Sequence, residues 1–335
     1  MKKFIQYLPK VELHLHIEGT LEPELMFELA VRNNINLPFN SITEVKQAYN
    51  FHNLQSFLDI YFQGANVLIN EQDFFDLTWA YLLRCKNDNV MHTELFFDPQ
   101  THTDRGIDFS TVVNGIHRAL VKGTTELGIS SRLIMCFLRH LDEESAFKTL
   151  EQAQAHKDKI TAVGLDSTEI GHPAGKFEQV FKQALKQGFL TVAHAGEEGP
   201  AGNIHDALNL LQITRIDHGV RCTEDPALIK QLAAERIPLT VCPLSNIKLK
   251  VFNFMEEHNI VDLLRRGLCV TINSDDPAYF GGYMTDNFLA VSDAHSLDKA
   301  EIAQFTFNAI EASFISEDEK KALETVTQRY LEVHQ

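Results

Sequence analysis

The chain has 335 residues, 44% of them hydrophobic, and its 46 acidic against 30 basic side chains leave a formal charge of -16. That imbalance repels nucleic acid backbones and anionic membrane surfaces, so neither is expected as a partner. Length and apolar content suffice for one large core, and a single domain over residues 1–335 is expected.

The opening MKKFIQYLPKVELHLH has basic residues but no apolar stretch of the signal-peptide kind, and no window of about 18 apolar residues follows. The five cysteines, Cys85, Cys136, Cys222, Cys242 and Cys269, are odd in number and widely spaced, with no CxxC pair. They read as buried thiols of a reducing compartment, so a cytoplasmic location is expected.

Taken in order, strand-like runs occur at KVELHLHI (10–17), VMHTELFFD (90–98), SRLIMCFLR (131–139), ITAVGLDS (160–167), FLTVAHAG (189–196), RIDHGV (215–220), IPLTVCPLS (237–245) and LCVTINSDD (268–276). Between most of them lie segments with apolar residues at three-to-four spacing, among them FSTVVNGIHRALVKGTTELG, EESAFKTLEQAQAH, KFEQVFKQALKQG and DPALIKQLAAERI. Eight strands alternating with helices predict an α/β chain folded as a (β/α)8 TIM barrel. The first connection, Thr20 to Asn89, breaks the rhythm: it is long, helical and rich in Phe and Tyr. It is read as an insertion over the barrel mouth, serving as a satellite core, as an apolar lid over a small ligand, or as both. The residues after Ala300 are read as extra C-terminal helices.

Alternation in the first strand predicts one row of Val11, Leu13, Leu15 and Ile17 and another of Glu12, His14, His16 and Glu18. A solvated face is the ordinary fate of such an ionisable row, but imidazole is also the commonest metal ligand. In barrels the active residues come from the C-terminal ends of the strands, so what each strand ends with is informative. Here the ends are HLHIEG, VAHAGEEG, DHG, CPLSN and NSDDP, from strands one, five, six, seven and eight. Capping or core histidines explain any one of them; five at equivalent places point to a site. His14, His16, His194 and Asp275 supply three nitrogens and an oxygen, a set suited to one zinc with a water in an open position. Zinc lowers the pKa of its water toward about 7, which predicts hydrolysis. Glu197, three residues past His194, is placed to take and return protons, and His218 to stabilise charge at the reacting centre. Of Asp275 and Asp276, adjacent on a strand, one is expected to meet metal and the other substrate; spacing alone does not say which.

With KVELHLHIEG, VAHAGE, RIDHGV, VCPLSN and SDDP in that order, the sequence resembles the adenosine and adenine deaminase family of zinc-dependent aminohydrolases over nearly its whole length. The resemblance implies His14, His16, His194 and Asp275 as ligands of one Zn2+ per subunit, Glu197 as proton shuttle, His218 as the partner of the attacking hydroxide, and Asp276 as the partner of purine N7. It implies support from Ser245 and Asn246. The reaction it implies is hydroxide attack at C6 of a 6-aminopurine, protonation at N1 and loss of ammonia. The His/Cys/Cys deaminases of flipped bases are a different group, whose PCxxC signature is missing here.

Three stretches bring the likeness nearer to the adenine-specific branch. After HxH comes Ile17-Glu18-Gly19 in place of the nucleoside enzymes' Leu-Asp-Gly, so Glu18 is expected to fill the space of the sugar. GLDSTEIGHPAGKF replaces their Gly-Asp-Glu element, with Gly164, Asp166 and Glu169 as candidate contacts, and FFDPQTHTDRGI follows the same branch. Adenine to hypoxanthine and ammonia is therefore the expected reaction, with adenosine or N6-substituted adenines as alternatives. A regulatory protein on a dead enzyme fold is disfavoured, since a structural zinc needs neither Glu197 nor His218. A two-metal amidohydrolase is disfavoured too, because no strand end offers a bridging lysine. Oligomeric state is not legible in the sequence.

Overall fold

The computed structural model describes residues 1–334. Eight strands, β1 (Lys10–Glu12), β2 (Val90–Phe97), β3 (Ser130–Leu138), β4 (Ala162–Asp166), β5 (Leu190–Ala195), β6 (Arg215–His218), β7 (Leu239–Val241) and β8 (Val270–Ile272), pair in parallel in chain order. The two edges meet beyond β1 and β8: His16 N–H donates to the Asp275 carbonyl at 3.0 Å, and Asp275 N–H to the His14 carbonyl at 3.1 Å. The (β/α)8 barrel expected from the sequence is thus formed, with the insertion after the first strand and the additional helices at the end.

The amphipathic segments become the outer helices for the reasons their sequences carry. Phe109–Leu127 buries Val112, Val113, Ile116 and Leu120 and stops at Gly128, whose φ of 72° is the left-handed geometry that ends helices. Pro226–Ala234 starts behind Asp225, whose side chain accepts from Ala227 and Leu228 N–H. Alternation on the strands divides the core: Phe96, Ile134, Cys136, Ala162 and Val192 fill the barrel interior, while Leu95, Phe97, Met135, Phe137, Val163 and Leu165 join the layer under the helices. The last segments close the far end, where buried Arg215 pairs with Glu94 at 2.6 Å and stacks over Phe314.

The first strand departs from the predicted two rows. Regular pairing ends at Glu12, and the Leu13 N–H is taken by the Asn273 side chain at 2.8 Å instead of by a neighbouring strand. This irregularity resets the alternation. Glu12 accepts from Tyr81 Oη at 2.7 Å and from Ser274, away from the histidines. His14 and His16 alone turn inward, their rings 4.9 and 5.0 Å from that of Phe96.

The insertion folds as helices Pro23–Asn33, Ile42–Ala48, Leu54–Ala65 and Glu71–Asn87. Val45, Tyr49, Phe51, Phe57, Leu58 and Tyr61 build a separate apolar cluster with Leu249, Tyr279 and Phe280 from the barrel loops. Helix Leu54–Ala65 begins with a reciprocal cap between Asn53 and Ser56, and its inner face lines the mouth. The insertion is therefore both a satellite core and a cover. Among the described residues, no helix is long and apolar enough to cross a membrane.

Candidate active site

At the C-terminal ends of the strands lies a small cavity. His16, His194, Glu197, His218, Asp275 and Asp276 form its polar floor, and Leu54, Phe57, Leu58, Tyr61, Phe62 and Leu138 much of its apolar wall.

Two of the floor residues depend on backbone that few side chains adopt. His218 and Asp275 have φ of 65° and 64°, in the left-handed region that disfavours non-glycine residues. The turn brings the His218 ring to 4.6 Å from that of His14, so Asp217 and His218, though adjacent, both serve the mouth. Because β8 ends at Ile272, strand alternation no longer governs Asp275 and Asp276, and both carboxyls reach the same cavity. Gly19 makes room for the second of them, because a Cβ there would lie 2.7 Å from the Asp276 Cα.

Four imidazoles and one carboxylate crowd together: His14, His194, His218 and Asp275 offer ligand atoms within 4.8 Å of one another, and His16 joins them through His194 and Asp275. His16 Nε2 lies 3.1 Å from His194 Nε2, His14 Nε2 lies 3.2 Å from Asp275 Oδ1, and His16 Nε2 lies 3.6 Å from the same oxygen. Ligand bonds of about 2.0–2.1 Å arranged tetrahedrally put donor atoms roughly 3.3–3.4 Å apart. His14 Nε2 is buried without a hydrogen-bond partner, so its lone pair has no other use among the described residues. His218 also lies within ligand reach of His14, His194 and Asp275. What separates His16 from His218 is the other ring nitrogen. His14 Nδ1 meets Thr240 Oγ1 at 3.0 Å and His16 Nδ1 lies 3.5 Å from Asp166; His194 Nδ1, like His218 Nδ1, is buried with no hydrogen-bond partner, but it faces the Asp217 carboxylate at 3.7 Å. Polar support behind the far nitrogen is the mark of a metal-ligating histidine. The donor set fits a divalent ion of the zinc type.

The electrostatics agree. Burial, reinforced by the neighbouring imidazoles, holds His194 neutral, well below the ordinary histidine range, and does the same for His218, to about 3. Burial works against the Asp275 charge, yet His14 and the other imidazoles hold its carboxyl well below the usual range. Burial and the Asp275 charge push Asp276 and Glu197 the other way, well above the carboxylate range. One carboxylate is kept charged among two that favour the acid form. Glu197 accepts from Asn246 Nδ2 at 3.3 Å and lies 3.5 Å from His218 Nε2; Asn246 is held in turn by His258. Ser245 is buried beside Asn246, and its hydroxyl has no partner.

The expected substrate contacts divide. Asp166 and Asp276 line the cavity. Gly164 does not: it faces Cys136 and Val192 inside the barrel, where a Cβ would collide with the thiol. Glu169 does not either, since its carboxylate accepts from Gly196, Glu197 and Gly199 N–H and from Asn203, fixing the loop that carries Glu197. Glu18 is absent from the lining and lies in a short 3-10 turn, Glu18–Thr20, where Oε1 accepts from His102 Nε2 at 2.8 Å and from Asp98 N–H at 3.2 Å. Burial raises its pKa to about 7. The sequence reading missed Asp98, Tyr61, Asp217 and Thr240. Asp98 ends β2 as Asp166 ends β4, so the strand-end test applied to every strand finds it; Asp217 adjoins His218 in RIDHGV. Thr240 and Tyr61 carry no comparable signal.

A parallel barrel with a histidine-carboxylate cluster and a buried glutamate at its C-terminal mouth is the layout of a hydrolase whose cluster can take a metal. The adenosine deaminase family profile matches residues 9–329, and the chain belongs to that family. An adenine deaminase of Vibrio parahaemolyticus is 64% identical over 334 residues, covering 100% of this chain and 99% of the relative. The crystal structure of an adenine deaminase from Arthrobacter aurescens superposes with a TM-score of 0.96 at 46% identity, over 97% of this chain and 99% of that one. A Burkhoderia ambifaria amidohydrolase with bound Zn matches at TM-score 0.90 and 25% identity, over 99% and 94% of the two chains.

Proposed function

We propose that this protein hydrolyses adenine to hypoxanthine and ammonia, as a single domain in the cytoplasm using one zinc ion. The observation that carries the chemistry is the convergence of His14, His16, His194 and Asp275 beside Glu197; the substrate follows from the adenine deaminases it resembles over their full length. His14, His16, His194 and Asp275 hold the metal, and Thr240, Asp166 and Asp217 orient the three rings from behind. Bound zinc supplies an acidified water at neutral pH.

The chain's own residues do the rest. Glu197 takes a proton from the attacking water and delivers it to N1 as the C6–O bond forms; the remaining hydroxyl proton passes to the exocyclic nitrogen, the C6–N bond breaks and ammonia leaves. His218, neutral and 3.5 Å from Glu197 Oε2, orients the incoming oxygen. Asp276, kept in its acid form by burial, donates to N7 and fixes the ring plane. The apolar wall excludes bulk water, which strengthens each of these contacts. The test is product analysis: hypoxanthine and ammonia are expected in equal amounts from adenine. Preference for adenosine or N6-methyladenine would reject the substrate while leaving the metal site standing.

A further inference from the structure

Binding C6 over the metal cluster, with N1 toward Glu197 and N7 toward Asp276, leaves the N3–N9 edge of the base facing the rest of the cavity lining. Most of that lining is apolar, and its remaining polar side chains are Asp98, Asp166 and Ser167. Ser167 Oγ pairs with His140 Nδ1 at 2.8 Å, and Asp166 lies 3.5 Å from His16 Nδ1 through Oδ2, its Oδ1 left without a hydrogen-bond partner. Asp98 is the other buried carboxylate of this edge, close to Asp166 and His16. It is 3% exposed, and Oδ1 has no hydrogen-bond partner, a costly state for a buried oxygen.

Everything else about Asp98 is fixed. Tyr61 Oη, from the inserted helix, donates to Oδ2 at 3.1 Å. Its backbone N–H donates to Glu18 Oε1 at 3.2 Å, and Glu18 is itself clamped by His102 at 2.8 Å. Pro99 follows and opens the next helix. A side chain held at one oxygen, on a backbone fixed by Glu18 and Pro99, and left with one free acceptor is built for a donor that arrives with the ligand.

We propose that Asp98 is the residue that distinguishes the free base from its nucleoside, its Oδ1 accepting the N9–H that adenine has and adenosine lacks. The inference rests on the adenine reading above and refines it. Glu18 and Tyr61 act as positioning residues: Glu18 reaches the substrate only through Asp98. A purine substituted at N9 brings carbon in place of the donor, leaves Oδ1 buried and unpaired, and crowds the Tyr61 wall. Sites that hydrogen-bond a substrate N–H reject analogues without it by about 10⁴-fold.

The test compares adenine with 9-methyladenine as substrates, and hypoxanthine with 9-methylhypoxanthine as inhibitors, on the zinc-loaded wild type, Asp98→Ala and Tyr61→Phe. For the wild type, adenine is expected to exceed 9-methyladenine in kcat/KM by about 10⁴-fold. Asp98→Ala is expected to narrow that ratio by at least about 100-fold, by losing adenine and sparing or gaining the methylated base, and to narrow the inhibitor ratio in parallel. Tyr61→Phe keeps the acceptor, loosens its aim, and is expected to narrow both ratios by about 10-fold; it serves if the alanine variant does not fold. Equal losses on both members of each pair, with the ratios unchanged, would overturn the role of Asp98 and leave adenine hydrolysis intact. A wild type that ignores adenine would overturn both.

Discussion

The floor and the wall of the cavity are built differently. On the floor, the functional side chains sit at the ends of strands, inside short runs such as HLH, HAGE, DHG or SDD, with Thr240, Asp166 and Asp217 behind His14, His16 and His194. The wall is a helix borrowed from an insertion, contributing Leu54, Phe57, Leu58, Tyr61 and Phe62 against Leu249 and Phe280. A rigid barrel fixes reacting atoms to the tolerance catalysis needs, while a separately packed cover is free to vary with the substrate. Floor substitutions are therefore expected to abolish chemistry, and wall substitutions to change binding and stability.

The largest effect falls on the ligands. His14→Ala is expected to lose both zinc and activity, by more than about a thousandfold; undiminished metal content by atomic absorption would remove His14 from the site. Next comes Glu197→Gln, expected to keep its zinc and lose turnover by about 10²- to 10⁴-fold, and near-normal turnover would put the proton elsewhere. Gly19→Ala sharpens the comparison without removing a polar group. Its Cβ would lie 2.0 Å from Asp276 Oδ1 and 2.7 Å from the Asp276 Cα, and a displacement near 1 Å is expected to cost about 100-fold in kcat/KM. For Asp217→Asn, behind His194 and hydrogen-bonded to Thr240, zinc affinity is expected to fall about 10- to 100-fold, measurable by chelator competition. The smallest catalytic effect belongs to the wall. Phe57→Ala is expected to cost about 3 kcal/mol of stability and to raise KM more than it lowers kcat; a kcat loss matching that of Glu197→Gln would erase the distinction drawn here.

The same division governs what the sequence discloses. Eight strand runs and their helices were legible because burial imposes a period on local residues, and the floor residues because strand ends in a barrel are forced together. His14, His16, His194, Glu197, His218, Asp275 and Asp276 lie together at the barrel mouth. What local pattern does not encode is a break in that pattern. Asn273 resets the register of β1 from 260 residues away, so Glu12 and Glu18 leave the histidine row. Left-handed turns at His218 and Asp275 bring neighbours to one side. Glu169 carries the same carboxylate that a substrate contact would need, yet spends it on the Glu197 loop. Tyr61 looks like any aromatic in an apolar helix until Asp98 is seen against it.

The most direct measurement titrates metal-free protein with zinc while following ammonia release from adenine. Activity is expected to rise in proportion to added zinc, to saturate at about one ion per chain, and to vanish on chelation. Full activity without metal, or a requirement for a second ion, would contradict the single-metal floor on which this account stands.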